Sequence, residues 1–161
     1  MKPNDPPVEL GPELDFLRTL WALDHALQKC SKRMSRVLGV TGPQRLALRL
    51  VGRFPGLPAG RLARMLHLHP STITGVVKRL SEHGLIVRSS DDPDRRRSLL
   101  RITPAGQALL ARTQPAIEFA VTAAISALPD EQVETTRNTL IAVTRKLEGM
   151  QIAATEPEPT P

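Results

Sequence analysis

Apolar residues recur along the chain at helical spacing, in blocks separated by Gly, Pro and Thr. Phe16, Leu20, Leu23, Leu27, Cys30, Met34 and Val37 alternate steps of four and three, which predicts a helix of roughly seven turns beginning at Glu13. So narrow, heptad-like a seam calls for a partner helix, from the C-terminus or from a second chain. Gly39 supplies a stop, and Thr41 with Gln44 three residues on forms a capping-box signature for a second helix. That helix runs through Leu46, Leu50 and Val51 to Phe54 and carries Arg45, Arg49 and Arg53 on its other side, a row that reads as a solvated face. Pro55 to Pro58 reads as a loop, followed by a short helix, Arg61 to Leu68, that turns Leu62, Met65 and Leu66 inward. Proline is favoured at the first helical position, so His69 takes the cap and the next helix runs from Pro70 to about His83, stopped by Gly84. Its buried stripe is Ile73, Val76, Val77 and Leu80.

The pattern then changes period. Ile86-Val87 and Leu99 to Ile102 flank a turn-rich centre, Asp91-Asp92-Pro93-Asp94, that runs straight into Arg95-Arg96-Arg97. This predicts a β-hairpin with a charged tip, because the proline forbids a regular helix and the aspartates favour a turn. After it Thr103 caps a helix with Pro104 at its first position, expected to reach about Leu128 before Pro129 breaks it. A final helix, Asp130 to about Met150, places Val133, Leu140 and Leu147 in one seven-residue series and Val143 and Met150 in another. Residues 1–12 hold four prolines and read as a loose arm, and residues 151–161 as a disordered tail.

Charge sharpens the picture. The formal net charge is +6, yet residues 31–112 hold 16 Lys or Arg against 4 Asp or Glu, while the remainder hold 6 against 12. A basic middle between acidic ends suits a localised polyanion partner. Two short helices joined tightly, the second opening with Ser71, Thr72, Thr74 and Gly75 and continuing with Lys78 and Arg79, form a helix-turn-helix that fits a major groove. Arginine outnumbers lysine 17 to 5, and its planar fork fits phosphate and narrow minor grooves.

Asp92-Pro93-Asp94-Arg95-Arg96, then Leu99, Ile102-Thr103 and Gly106, is similar to the wing signature of the MarR/SlyA family of winged helix-turn-helix regulators. The resemblance extends from about Leu14 to Met150. It implies a mainly α fold: a winged helix-turn-helix over 41–103 with a small β-hairpin wing, and long N- and C-terminal helices, 13–39 and 104–150, forming a dimerisation domain. It implies a sequence-specific regulator of transcription, a ligand-responsive repressor that binds a pseudo-palindromic operator in double-stranded DNA as a homodimer. The Pro70 to His83 helix would read base edges through Pro70, Ser71, Thr72, Thr74, Gly75, Lys78 and Arg79. By motif position Arg96 would enter the minor groove, oriented by Arg95 and Asp94, while Arg97 and Arg101 touch phosphate. For a small aromatic or anionic effector, Trp21, Asp24 and His25 on the first helix and Arg45 and Arg49 on the second are candidate lining groups. Two other uses of the same surface stay open, a nonspecific architectural DNA coat and a winged helix used for protein contacts.

Other chemistry is sparse. Peroxide-sensing relatives carry a reactive thiol near the start of the first helix, but Cys30 lies further along in the apolar stripe and the chain has no tyrosine, so a buried structural cysteine is expected. His25, His67, His69 and His83 make no metal-ligand set, no nucleophilic triad or phosphate loop is recognisable, and neither cofactor nor enzyme activity is expected. One cysteine, no signal peptide and no apolar run long enough for a bilayer predict a cytoplasmic protein with no membrane partner.

Overall fold

The computed structural model describes residues 10–89, 99–112 and 116–150, and these fall into two compact units, residues 1–119 and 120–161. The first opens with α1, Gly11–Leu38, which Gly39 terminates in the left-handed conformation at φ 75°. The predicted capping box is present at the start of α2, Gly42–Arg53: the Thr41 hydroxyl accepts the Gln44 N–H, and Gln44 Oε1 accepts the Thr41 N–H at 2.9 Å. Ser31 Oγ accepts the Gly42 N–H at 2.9 Å, which ties the two helices together at their junction.

Pro55 to Pro58, expected as a loop, contains a two-residue strand, β1, Leu57–Pro58. After it come α3, Ala59–Met65, α4, Pro70–Glu82, β2, Ile86–Ser89, and β3, Leu99–Ile102. The sheet is antiparallel in the order β1-β3-β2, with Leu57 opposite Leu100 and Val87 opposite Arg101. Pro58 is tolerated because β1 is an edge strand, where a missing N–H costs no ladder bond. Local sequence could not reveal this strand, because its partner lies some forty residues away.

The core of this unit joins α2, α3, α4 and the sheet. Ala47, Leu48, Val51, Leu62, Leu80 and Leu100 are fully enclosed, and Met34 and Leu38 from the end of α1 close one side. On α4 burial follows the predicted stripe, with Ile73, Val77 and Leu80 buried, whereas Leu46, Phe54 and Met65, expected on apolar faces of the second and third helices, are exposed, and α2 buries Ala47 and Leu48 along with Val51.

Thr103 starts α5, Pro104–Ala111, as predicted, its hydroxyl accepting the Gly106 N–H at 3.1 Å and donating to the Gly84 carbonyl at 2.6 Å. The expected single helix to Leu128 is interrupted. Arg112 leaves the helical conformation at ψ 108°, and α6, Ile117–Ile125, is a separate element. Pro115 explains the break, since it has no N–H for a helical bond and disfavours helix in the residue before it. In the second unit α7, Asp130–Glu148, has two acidic residues in its first turn and Arg145 and Lys146 in its last, the signs that complement a helix dipole. The helix expected from Glu13 starts earlier, at Gly11, so the end of the expected arm, Gly11 and Pro12, is helical; residues 1–9 of that arm, the tail and the hairpin tip lie outside the described residues.

A candidate nucleic-acid interface and its buried arginine latch

The site begins with a turn. Leu66 ends α3, His67 takes φ 50°, and the Leu68 N–H reaches back to the Ala63 carbonyl at 3.0 Å. Left-handed backbone is uncommon for a residue with a Cβ, though histidine is among the types that tolerate it. The turn aims α4 outward, with Ile73, Val77 and Leu80 buried and Ser71, Thr72, Thr74, Gly75, Lys78 and Arg79 all exposed along the opposite side. The α4 start is fixed twice over: Pro70 stands at the first position, and His69 Nδ1 accepts the Ser71 N–H at 3.3 Å while lying 2.8 Å from Ser71 Oγ. Thr74 Oγ1 donates to the Pro70 carbonyl at 2.8 Å, and Lys78 Nζ stands 3.8 Å from Glu82 Oε1, an exposed pair worth little.

Gly84, at φ 65°, then turns the chain into the sheet. The β2-β3 ladder pairs Ser89 with Leu99 at its outer end, so the chain leaves and re-enters the sheet there. Arg88 and Arg101 are exposed on these strands. Asp94, Arg95, Arg96 and Arg97 lie outside the described residues.

The arginine row on α2 splits into two kinds of residue. Arg45, expected on a solvated face and as an effector contact, is 1% exposed. Its Nε donates to Glu118 Oε1 at 2.8 Å, its Nη1 to the Leu109 carbonyl at 3.0 Å, and its Nη2 to the Leu110 and Arg112 carbonyls at 3.1 and 2.8 Å. Leu109 and Leu110 stand in the last turn of α5 and Arg112 just past it, where carbonyls lose their regular helical partners, and the guanidinium caps this end. Arg45 is thus a latch holding the end of α5 and the start of α6 onto α2. Sequence reasoning missed it because the glutamate and the interrupted helix that need it are more than sixty residues away. Arg49 is half-exposed, 3.4 Å from the same Glu118 oxygen.

Partial burial pushes the Glu118 carboxyl up, but a backbone N–H and the guanidinium groups of Arg45 and Arg49 outweigh it, leaving the group below its ordinary value of 4.5.

Trp21, Asp24 and His25 are exposed on α1, Trp21 at 66%, with Asp24 accepting a hydrogen bond from Gln28. They do not line the open groove of about 730 Å³ found between α2, β3 and α5. That groove has an apolar floor including Leu50, Ile102 and Leu110, and Arg49, Arg53 and Gln107 at its polar edge. Cys30, expected buried, is exposed in the single chain, as are Phe16, Leu23 and Leu27 of the same stripe. The stripe enters the core only at Met34, because none of the described residues of this unit buries α1 further toward its N-terminus. Among the described residues no group of His, Cys, Asp and Glu is placed to hold a metal ion, and no helix is long and apolar enough to cross a membrane.

The family model described as MarR family matches residues 38–97, the segment from the end of α1 through α4 and β2. The organic hydroperoxide resistance transcriptional regulator of Bacillus subtilis is 32% identical over 102 residues, 63% of this chain and 68% of that protein. The chain belongs to the MarR family. A Thauera aromatica protein named for transcriptional regulation of the hcr operon is 36% identical over 92 residues, 57% of this chain and 55% of its own length. The crystal structure of a transcriptional regulator from Pseudomonas aeruginosa superposes with a TM-score of 0.59 at 33% identity, covering 76% of this chain and 94% of that one. Its fold is thus the winged helix of the MarR family, and its helix-turn-helix comprises α3 and α4. The stretch matched to the Thauera relative spans little more than half of that protein.

Proposed function

We propose that the protein is a double-stranded DNA-binding transcriptional repressor that occupies a pseudo-palindromic operator as a homodimer. The observation that carries the reading is α4: a twice-anchored helix start, a buried apolar stripe, and an opposite face of small hydroxyls followed by cations, all exposed. Such a face matches the hydrogen-bonding edges of a major groove. The basic sequence at 95–97 follows between β2 and β3, and Arg101 stands on the strand behind it. In this reading Arg96 enters the minor groove, Arg95 and Asp94 orient it, and Arg97 and Arg101 hold phosphate.

Dimerisation is supported by the uncovered apolar residues Phe16, Leu23 and Leu27 on α1, together with Leu147 and Met150 at the C-terminal end. Two-fold symmetry then places the half-sites about one helical turn, roughly 34 Å, apart. The effector reading is a small aromatic or anionic molecule, with Arg49 as its charged contact; Trp21, Asp24 and His25 remain its proposed neighbours on α1. Arg45 is not offered, since its donors are committed. As a DNA-binding regulator the protein would act in the cytoplasm without cofactor or catalytic step.

Selection of bound sequences from a random duplex pool at physiological salt tests the reading. A two-fold symmetric motif is the expected result. Binding only at low salt with no enriched motif would replace it with a nonspecific DNA coat, and negligible DNA binding even at low salt with a protein-contact module.

A further inference from the structure

Serine hydroxyls are ambiguous readers of DNA, because a freely rotating O–H can donate to one base and accept from another. Ser71 is not free to rotate. His69 Nδ1 accepts the Ser71 backbone N–H at 3.3 Å and also lies 2.8 Å from Ser71 Oγ. A backbone N–H has only a proton to give, so Nδ1 must present its lone pair and the neutral ring carries its proton on Nε2, a tautomer assigned from this hydrogen-bond pattern. The 2.8 Å contact then has one polarity, with the Ser71 hydroxyl donating to Nδ1. One turn on, Thr74 shows the same commitment, since its Oγ1 donates to the Pro70 carbonyl. The Ser71 and Thr74 hydroxyls are thus left with lone pairs only, while Lys78 and Arg79, one to two turns further on, supply donors.

We propose that His69 is a specificity-determining positioning residue: by holding the Ser71 proton it makes Ser71 an acceptor-only reader that selects a major-groove amino group, adenine N6 or cytosine N4. The guanine N7 and O6 and thymine O4 edges offer only acceptors and are disfavoured against the same lone pairs. His69 touches no base in this scheme and acts through Ser71. The inference rests on the DNA-binding reading of α4 proposed above.

The test begins with sequence selection by the wild-type protein and Ser71→Ala, which identifies the base pair whose preference flattens. In that pair adenine is then replaced by purine, or cytosine by 2-pyrimidinone, removing only the amino group. Wild type is expected to lose affinity on the order of tenfold from this deletion, and Ser71→Ala to lose none. His69→Asn keeps an acceptor at the cap and should behave as wild type. His69→Gly, which caps a helix nearly as well but offers no side-chain acceptor, frees the Ser71 proton to donate and should lose the discrimination against guanine or thymine at that position while remaining folded. The proposal is overturned if His69→Gly discriminates against guanine or thymine at that position as strongly as wild type, if wild type ignores the amino deletion and instead responds to a 7-deazapurine lacking N7, or if Ser71→Ala alters no position. Each of those outcomes leaves specific DNA binding standing. A wild-type protein that enriches no motif removes the DNA-binding reading and this inference with it.

Discussion

Arg45→Met replaces the guanidinium of the latch while keeping most of the stem that fills the space against α5. The side chain is 1% exposed and makes four charge-assisted hydrogen bonds, one to a half-buried carboxylate and three to carbonyls at the end of α5. Each such bond contributes roughly 1.5–3 kcal/mol when measured singly, and bonds sharing one donor group do not add. The governing loss is that of one partner from a buried ion pair, which leaves Glu118 short of its counter-charge and costs about 3–5 kcal/mol. Arg49 stands 3.4 Å from the same oxygen but is half-exposed, and it compensates little of this. Against a total stability of roughly 5–15 kcal/mol the change is large, and urea unfolding followed by circular dichroism should show a midpoint lowered by about 1.5–3 M. Protein concentration is held fixed, because dimerisation would shift the apparent stability. Arg49→Met, measured alongside, should cost less than about 1 kcal/mol. A loss below about 1 kcal/mol for Arg45→Met, or equal losses for the two variants, would refute the latch and return the whole row to an ordinary solvated face.

Three further outcomes are expected. Glu118 titrates in the fold below its ordinary value of 4.5, so the folded state binds fewer protons than the unfolded chain as the pH falls past that value. Its contribution should be complete above about pH 4.5 and lost as the pH drops through the lower folded value; Glu118→Gln should flatten that part of the acid-stability curve measured by thermal unfolding. A Cβ on Gly106 would collide with the Leu85 carbonyl, a backbone group that cannot rotate away, and press on the Ile102 side chain, so Gly106→Ala should destabilise by about 1–3 kcal/mol in urea titration despite alanine's better helix propensity. Arg96→Ala, at a position outside the described residues, should weaken binding to the selected operator and lower the slope of log K against log salt by about one unit, and an unchanged slope in fluorescence titration counts against a phosphate or minor-groove role.

Much of this protein is decided over short distances, and there the sequence is sufficient. The Thr41 to Gln44 capping box, the Gly39 and Gly84 stops, Pro70 behind the His69 cap and Pro104 behind the Thr103 cap each involve groups within about four residues, so side-chain chemistry and backbone preference fix them without the rest of the chain. The exposed polar face of α4 follows from helical period alone once Ile73, Val77 and Leu80 are assigned to the core. What escaped the sequence depends on partners far along the chain. Leu57-Pro58 becomes a strand only because Leu99 and Leu100 arrive beside it, and Arg45 is drawn inside only because an interrupted helix leaves carbonyls and Glu118 to be satisfied there. The break was within reach, since Pro115 is incompatible with a continuous helix to Leu128, but the reason one arginine of three turns inward was not. Periodicity assigns a residue to a face, whereas burying a charge requires compensating partners, and where those partners lie is settled by tertiary structure alone.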